Sequence, residues 1–245
     1  MLALLASGDR RMPVKNERHV EVGADEATSA IFEPALAEPL GVLFVCAHGA
    51  GGHMNDRGML ASTARLRERG SDVVRFNFLY REKGTSRPDP MPRLEECIAA
   101  VASHARRELG AGTLVLGGRS MGGRAASMLV AAGQLACDGL LLLAYPLHPA
   151  GRPEKLRDAH LARIEVPVLC LNGTRDALCQ RDLMERAVGR LGGWTMHWLE
   201  GADHGFHVLK RSGRSDSEVL SEMAEVSRAW AGPLAAGKVN PPTEV

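Results

Sequence analysis

A serine lies between glycines in residues 118–122, which read G-R-S-M-G. An apolar run at residues 113–117 precedes this segment, and an alanine-rich pattern with helical character follows it at residues 124–130. A strand that turns sharply into a helix through G-x-S-x-G strains the serine backbone, and small residues are needed two positions away on either side. The turn exposes the hydroxyl of Ser120 above a sheet, beside a helix N-terminus that favours negative charge. The pattern therefore predicts a nucleophilic serine.

A serine hydroxyl is a poor nucleophile until a base removes its proton. Where such a turn carries the nucleophile, an acid and a histidine follow it in chain order, each on a loop after a strand. Asp176 follows the apolar residues 166–171, and His204 follows the predicted strand at residues 194–199. We therefore predict that His204 accepts the proton of Ser120, and that Asp176 orients the imidazole and stabilises the imidazolium.

Each of these motifs also has a simpler interpretation. A serine between glycines is more often part of a turn than a nucleophile. Likewise, a Gly-Thr-Arg-Asp segment such as the one that contains Asp176 is usually only a turn after a strand. Asp203 is an alternative orienting acid, although its position directly beside His204 makes the required hydrogen bond awkward. The order serine, aspartate, histidine at successive strand ends favours the catalytic interpretation of Ser120, Asp176 and His204.

Hydrolysis of an acyl group also requires two preorganised donors for the carbonyl oxygen that becomes negative. The backbone N–H of Met121, the residue after the serine, is the first candidate. The glycine-rich residues 48–52 follow the third predicted strand and supply the second, with the N–H of Ala50 favoured and that of Gly51 as the alternative. We expect His48 to shape this loop rather than to act as a base.

Several polar side chains occur where predicted strands end, and ligands bind at the carboxyl ends of strands in open α/β sheets. With the backbone of Gly51, the candidates for contact with a substrate are Asn77, Tyr80, Tyr145 and His148. For Tyr145 and His148 a second interpretation has equal weight. The sequence Tyr-Pro-Leu-His-Pro is also suited to a rigid turn that holds the loop before the acid.

Composition limits the classes of protein that the chain can belong to. Its 245 residues are 45% hydrophobic, which is enough for the core of one large domain. A formal net charge of +1 gives no reason to expect binding to nucleic acid or to a membrane surface. The cysteines are scattered, contain no C-x-x-C, and are expected to be reduced thiols in a cytoplasmic protein: Cys46, Cys97, Cys137, Cys170 and Cys179.

Short apolar segments alternate with helical patterns, which predicts a mostly parallel, twisted sheet of about eight strands with helices on both faces. The predicted strands cover residues 19–22, 29–33, 41–47, 72–78, 113–117, 139–145, 167–171 and 194–199. Helices are expected from Asp56 to about residue 69, over 94–109, after Ser120 and over 219–230, with a loop at 79–92. Only about twenty residues separate 145 from 166, too few for a cap domain.

One domain is expected over residues 18–231. We expect residues 1–17 to be a disordered extension, with Met12 as an alternative start, and residues 232–245 to be a flexible tail.

These features together resemble the α/β-hydrolase superfamily over about residues 18–231. The chain also resembles a narrower, dienelactone-hydrolase-like group that includes a testis-expressed protein and subunit 3 of the nonspecific-lethal chromatin complex. That likeness rests on residues 47–52, 75–80, 118–124, 145–149 and 172–176. The resemblance implies a site at Ser120, Asp176 and His204 but no substrate. Dienelactone hydrolases proper use a cysteine nucleophile, so the serine here favours ordinary ester chemistry.

The sequence thus predicts a serine hydrolase that cleaves a small ester or thioester through an acyl-enzyme, without a metal or an organic cofactor. A small-molecule ester is its expected partner, and the chain is expected to be a monomer or a homodimer. The alternative is a non-catalytic protein-interaction module on the same fold, because a fold alone does not imply activity. The presence of all three site residues argues against that alternative. A peptidase would need further substrate-binding elements.

Overall fold

A computed structural model of the chain describes residues 17–110 and 112–237. Within them one sheet contains β1 (Glu17–Glu21), β2 (Ala27–Glu33), β3 (Val42–Ala47), β4 (Asp72–Phe76), β5 (Thr113–Arg119), β6 (Gly139–Leu143), β7 (Val168–Gly173) and β8 (Trp194–Leu199). The strands lie in the order β1-β2-β4-β3-β5-β6-β7-β8. β2 is antiparallel to both of its neighbours, and the pairings from β4 to β8 are parallel. This is the mostly parallel sheet that the sequence predicts.

Helices cover both faces of the sheet: α1 (Arg57–Arg67), α2 (Leu79–Glu82), α3 (Met91–Leu109), α4 (Met121–Ala131), α5 (Arg181–Val188) and α6 (Asp216–Ala235). α1 and α6 pack on one face, in an apolar cluster that includes Phe44 and Met223. α3, α4 and α5 pack on the other, in a cluster that includes Leu94 and Leu129. Alternate residues of β3 belong to the two clusters, so this strand is apolar throughout because both of its faces are buried.

The carboxyl ends of the parallel strands meet at one edge of the sheet, and the loops that leave them therefore lie close together. Between β6 and β7, residues 144–167 contain one short 3₁₀ turn, Leu161–Arg163, and no cap domain, as predicted. In the part of the chain that the structure describes, no helix is both long enough and apolar enough to span a bilayer.

The sequence pattern does not predict two of the observed helices, α2 and α5. α2 forms a single turn within the predicted loop at 79–92, where Leu79 and Tyr80 are buried and four residues are too few to show helical periodicity. α5 has only two buried residues, Met184 and Val188, one turn apart on an otherwise polar helix. Its apolar face is therefore too narrow to stand out in the sequence.

The last helix is longer than expected. The boundary at residue 231 falls inside α6, which continues to Ala235 and contains Pro233. The proline lacks one N–H, but the next turn still closes through a hydrogen bond from Ala236 N to Gly232 O of 3.1 Å. At the other end, β1 already includes Glu17; residues 1–16 and 238–245 of the predicted extension and tail lie outside the described residues.

Candidate active site

The turn from β5 into α4 holds Ser120 in an uncommon backbone conformation, with φ 50° and ψ −116°. Its N–H donates to Leu143 O at 2.9 Å, which ties the turn to β6. A Cβ on Gly118 would overlap the backbone of Ala47, with Ala47 N at 2.6 Å, and a Cβ on Gly122 would lie 2.5 Å from Ala47 O. Both glycines are therefore required because β3 passes directly against the turn.

Ser120, His204 and Asp176 form a continuous chain of hydrogen bonds. His204 Nε2 lies 2.9 Å from Ser120 Oγ, and His204 Nδ1 lies 2.8 Å from Asp176 Oδ2. These distances are within the reach needed for direct proton transfer between serine and imidazole. Asp203, the alternative acid, uses its Oδ1 to accept from Gly205 N at 2.8 Å and His207 N at 3.0 Å. It therefore holds the turn after His204, and the structure brings Asp176 to the imidazole.

Two neighbouring protein groups fix the carboxylate of Asp176. Leu178 N donates to its Oδ1 at 2.8 Å, and Asn172 Nδ2 donates to its Oδ2 at 3.2 Å. Asn172 is fully buried at the end of β7, and its side chain also exchanges hydrogen bonds with both backbone groups of Tyr145. The sequence analysis missed this positioning residue, whose signal is an amide at the end of an otherwise apolar strand.

The loops that carry the acid and the histidine are joined by their backbones. Arg175 N donates to Ala202 O at 2.9 Å, and Thr174 N donates to Leu199 O at 3.1 Å. A Cβ on Gly173 would lie 2.6 Å from the carbonyl carbon of Ala202. The two loops could therefore not approach each other so closely with a larger residue at position 173. The spacing between Asp176 and His204 is thus set at the base of their loops.

The glycine-rich loop after β3 lies directly beside Ser120. A Cβ on Gly49 would contact Ser120 Cβ at 3.6 Å. Ala50 and Gly51 are exposed, and Met121 is the first residue of α4. Among the described residues, the N–H groups of Ala50 and Met121 form no hydrogen bond, whereas the backbone of Gly51 is hydrogen-bonded to the side chain of Tyr80. The N–H groups of Ala50 and Met121 are therefore open to a ligand, and their role as oxyanion donors stays a prediction.

His48 supports this loop from below. Its side chain is buried, Phe78 N donates to Nε2 at 3.1 Å, and Nδ1 lies 2.8 Å from Gly49 O. Because Nε2 accepts, the proton of the neutral ring is on Nδ1 and is donated to Gly49. Burial lowers the pKa of His48 from 6.5 to about 4, so the ring is neutral at pH 7.

Two of the residues predicted to contact a substrate, Tyr145 and His148, have buried side chains. The side chain of Tyr145 is fully buried and donates from its hydroxyl to Arg157 O at 2.8 Å. His148 is 1% exposed, and its Nε2 accepts from Gln180 N at 3.1 Å. Tyr145 thus holds the segment after β6 and His148 holds the start of α5, which favours the rigid-turn interpretation of both buried side chains.

The polar groups of Asn77 and Tyr80 also form hydrogen bonds with other residues of the chain. Asn77 Oδ1 accepts from Met54 N at 2.9 Å, and its Nδ2 donates to Glu82 Oε1 at 3.0 Å. Tyr80 is buried beneath the glycine-rich loop, with its hydroxyl 3.5 Å from Gly49 O. Of the five predicted contacts, Gly51 is the one that the structure leaves exposed. No group of three or more metal-ligating side chains occurs in the described part of the chain.

The strand order, the strained serine and the serine–histidine–aspartate chain define the class of protein as an α/β-hydrolase fold. Residues 41–232 match the family described as "Alpha/beta hydrolase domain", and the chain belongs to this family.

Solved structures share the fold over nearly the whole chain. An alpha-beta serine hydrolase homologue from Coxiella burnetii has a TM-score of 0.68 and 20% identity, covering 91% of this chain and 97% of its own. A serine hydrolase without a lid from Xanthomonas campestris has a TM-score of 0.66 and 23% identity, covering 87% and 94%. A dienelactone hydrolase from Anabaena variabilis has a TM-score of 0.64 and 16% identity, covering 88% and 97%. At these identities the likeness concerns the fold.

Proposed function

We propose that this chain is a serine hydrolase that cleaves a small ester or thioester through an acyl-enzyme. The hydrogen-bonded chain from Ser120 through His204 to the buried Asp176 carries the proposal. Membership of the α/β-hydrolase family adds support, as does the resemblance of the sequence motifs to the dienelactone-hydrolase-like group with the testis-expressed and nonspecific-lethal proteins.

In the first half of the reaction, Ser120 Oγ attacks the carbonyl carbon of the substrate while its proton passes to His204 Nε2. The carbonyl oxygen becomes an oxyanion, which accepts hydrogen bonds from the N–H of Met121 and that of Ala50 or Gly51. Collapse of this intermediate breaks the bond to the leaving alcohol or thiol, which takes the proton from His204. Ser120 then carries the acyl group as an ester.

In the second half, a water molecule attacks the acyl-enzyme while His204 Nε2 takes one of its protons. The tetrahedral intermediate collapses, the bond to Ser120 Oγ breaks, and His204 returns the proton to the serine. The products are a carboxylic acid and free enzyme. Throughout, Asp176 keeps the proton of His204 on Nδ1 and stabilises the transient positive charge on the ring.

The cellular setting belongs to the same proposal. The cysteines at 46, 97, 137, 170 and 179 are all free thiols, which supports a cytoplasmic location. The net charge of +1 gives no support for binding to nucleic acid or a membrane surface, and the proposed partner is a small-molecule ester. We propose a monomer or a homodimer.

Reaction with a fluorophosphonate, read by intact mass, tests the nucleophile without a choice of substrate. The native chain should gain one adduct, and Ser120→Ala should gain none. Ser86→Ala is the matched control, because this exposed serine lies in the loop near the glycine-rich segment and should leave the adduct intact. A folded native chain that forms no adduct would overturn the proposal in favour of the interaction module.

A further inference from the structure

A cavity separate from Ser120 lies between α1, α6 and residues 205–207. Its volume of about 470 Å³ is in the range of sites for small molecules. Phe206 and Leu220 give it an apolar wall, and Arg119 lines its inner side. Because Arg119 immediately precedes Ser120, the cavity and the candidate active site share one turn of the chain.

Arg119 is a cation without a directly bonded counter-ion. Its Nη1 donates to Ser62 Oγ at 3.1 Å, its Nη2 donates to His204 O at 3.3 Å, and the guanidinium lies 4.7 Å from the centre of the Phe206 ring. Among the described residues it forms no salt bridge, and no hydrogen bond uses its Nε. Burial lowers the pKa of Arg119, but a guanidinium stays charged at physiological pH. The carboxylates of Asp176 and Asp203 favour this charge without bonding to it directly, and an anion in the cavity would add a directly bonded partner.

The other charges around the cavity also favour an anion. Arg65 is already paired with Glu68 at 2.7 Å, and His207 Nδ1 lies 2.7 Å from Asp216 Oδ2. Arg57 forms no direct ion pair among the described residues, although its charge helps to lower the pKa of Asp216. Three arginines thus face two carboxylates across the cavity, which leaves its lining positive.

We propose that this cavity binds a small organic anion, whose carboxylate or phosphate oxygens accept hydrogen bonds from Arg119 Nε and Arg57 while its carbon skeleton packs on Phe206 and Leu220. Arg119 Nε is the inner donor, and Arg57 at the start of α1 is the outer one. Guanidinium groups suit this role because they remain charged and donate in a fixed plane.

Binding of an anion in the cavity should affect the candidate active site through one hydrogen bond. Arg119 Nη2 donates to the backbone carbonyl of His204, so an anion on the same guanidinium changes the charge next to the histidine loop. This coupling rests on the proposed hydrolase function, whereas binding of the anion does not. Calorimetry without any substrate therefore separates a failure of the anion site from a failure of the proposed reaction.

Gly58 provides a variant that distinguishes a binding role from a structural one. A Cβ at this position would lie 3.7 Å from Arg119 Nε and 3.8 Å from Cζ, which is ordinary contact. Gly58→Ala should therefore fold, gain stability because alanine is the better helix former, and cover the free Nε. Arg186→Ala is the control, since Arg186 is an exposed arginine on α5 that does not line the cavity.

Titration calorimetry with inorganic phosphate and with succinate, each against sodium chloride at the same ionic strength, tests the site. Native protein and Arg186→Ala should bind at least one of the two probes, and the stronger probe identifies the preferred oxyanion. Arg57→Ala should weaken that binding about tenfold, the effect of losing one charge-assisted hydrogen bond, and Gly58→Ala should weaken it while raising the melting temperature. Equal affinities in all four proteins, or no binding by the native chain, would overturn the proposal.

Discussion

His204 Nδ1 lies 2.8 Å from Oδ2 of Asp176, and the carboxylate side chain is fully buried while the imidazole is 31% exposed. The acid is thus held inside the protein and the base reaches the surface. Since Asp176 accepts at Nδ1, the proton of the neutral ring is held there and Nε2 remains free to accept from Ser120. One partly buried hydrogen bond therefore selects the tautomer that the proposed reaction needs.

Replacement of the acid tests this selection. Asp176→Asn should lower kcat on a small activated ester such as p-nitrophenyl acetate by about 10⁴-fold, because the amide favours the wrong tautomer of His204. Asp203→Asn is the comparison, since Asp203 bonds to Gly205 N and His207 N instead of to the ring. A larger loss in Asp203→Asn than in Asp176→Asn, with both proteins folded by circular dichroism, would make Asp203 the orienting acid.

Removal of the buried amide at the end of β7 should cost stability. Asn172→Ala leaves the N–H and C=O of Tyr145 without their side-chain partners. We expect the free energy of unfolding to fall by about 2–4 kcal/mol, the penalty for unpaired buried polar groups. Urea unfolding measures this change, with Gln134→Ala as the control, since the Gln134 side chain is exposed and forms no hydrogen bond within the described residues. Equal losses in the two variants would show that the network around Asp176 does not stabilise the fold.

Glycines in two helices should respond in opposite directions to the same substitution. Gly122→Ala puts a Cβ 2.5 Å from Ala47 O, so it should destabilise the protein and displace the turn at Ser120. Gly58→Ala in α1 places the new Cβ 3.7 Å from Arg119 Nε, which is ordinary contact, so it should gain up to about 1 kcal/mol from helix propensity. Thermal unfolding of the pair checks the sign of each effect, and a stabilised Gly122→Ala would contradict the close approach of β3.

Acidification should destabilise the protein through His48. Its pKa of about 4 in the folded state is below the unfolded value of 6.5, so the unfolded chain binds the extra proton between these pH values. Stability from this group is therefore complete above pH 6.5 and is lost progressively as the pH falls toward 4. The full loss corresponds to about 3 kcal/mol, at about 1.4 kcal/mol per pKa unit.

His48→Gln isolates that contribution, because a glutamine amide can still accept from Phe78 N but does not titrate. The difference in unfolding free energy between pH 7 and pH 4.5 should be smaller in the variant than in the native chain. The same dependence in both proteins would mean that His48 is not the group responsible. Comparison of the two chains removes the contributions of the carboxylates, which titrate in both.

The sequence was sufficient to predict that Ser120, Asp176 and His204 come together, because each follows an apolar strand and parallel strands end at one edge. The same reasoning could not decide between substrate contact and a rigid turn for Tyr145 and His148, which also follow a strand end. Whether a polar side chain there faces solvent depends on what covers it. The carbonyl of Arg157 and the N–H of Gln180 do so here, from segments with no regular pattern.

The short helices show a second limit. Periodicity identifies a helix only when a broad apolar face repeats over several turns, as in α3, where Leu94, Ile98 and Val101 are buried. α2 has one turn, and α5 contributes only two buried side chains. The cavity beside Arg119 lies beyond sequence reasoning altogether, because it depends on the packing of α1 against α6.

The backbone of Ala47 touches the positions of both Gly118 and Gly122, and the next residues of the chain form the glycine-rich loop. The positions of Ser120 and of the glycine-rich loop are therefore both set by one central strand. Exposed side chains that contact neither this strand nor the loops of Asp176 and His204 can then be changed without moving Ser120. Substrate choice in the proposed hydrolase can then be engineered at such side chains while the turn at Ser120 is kept.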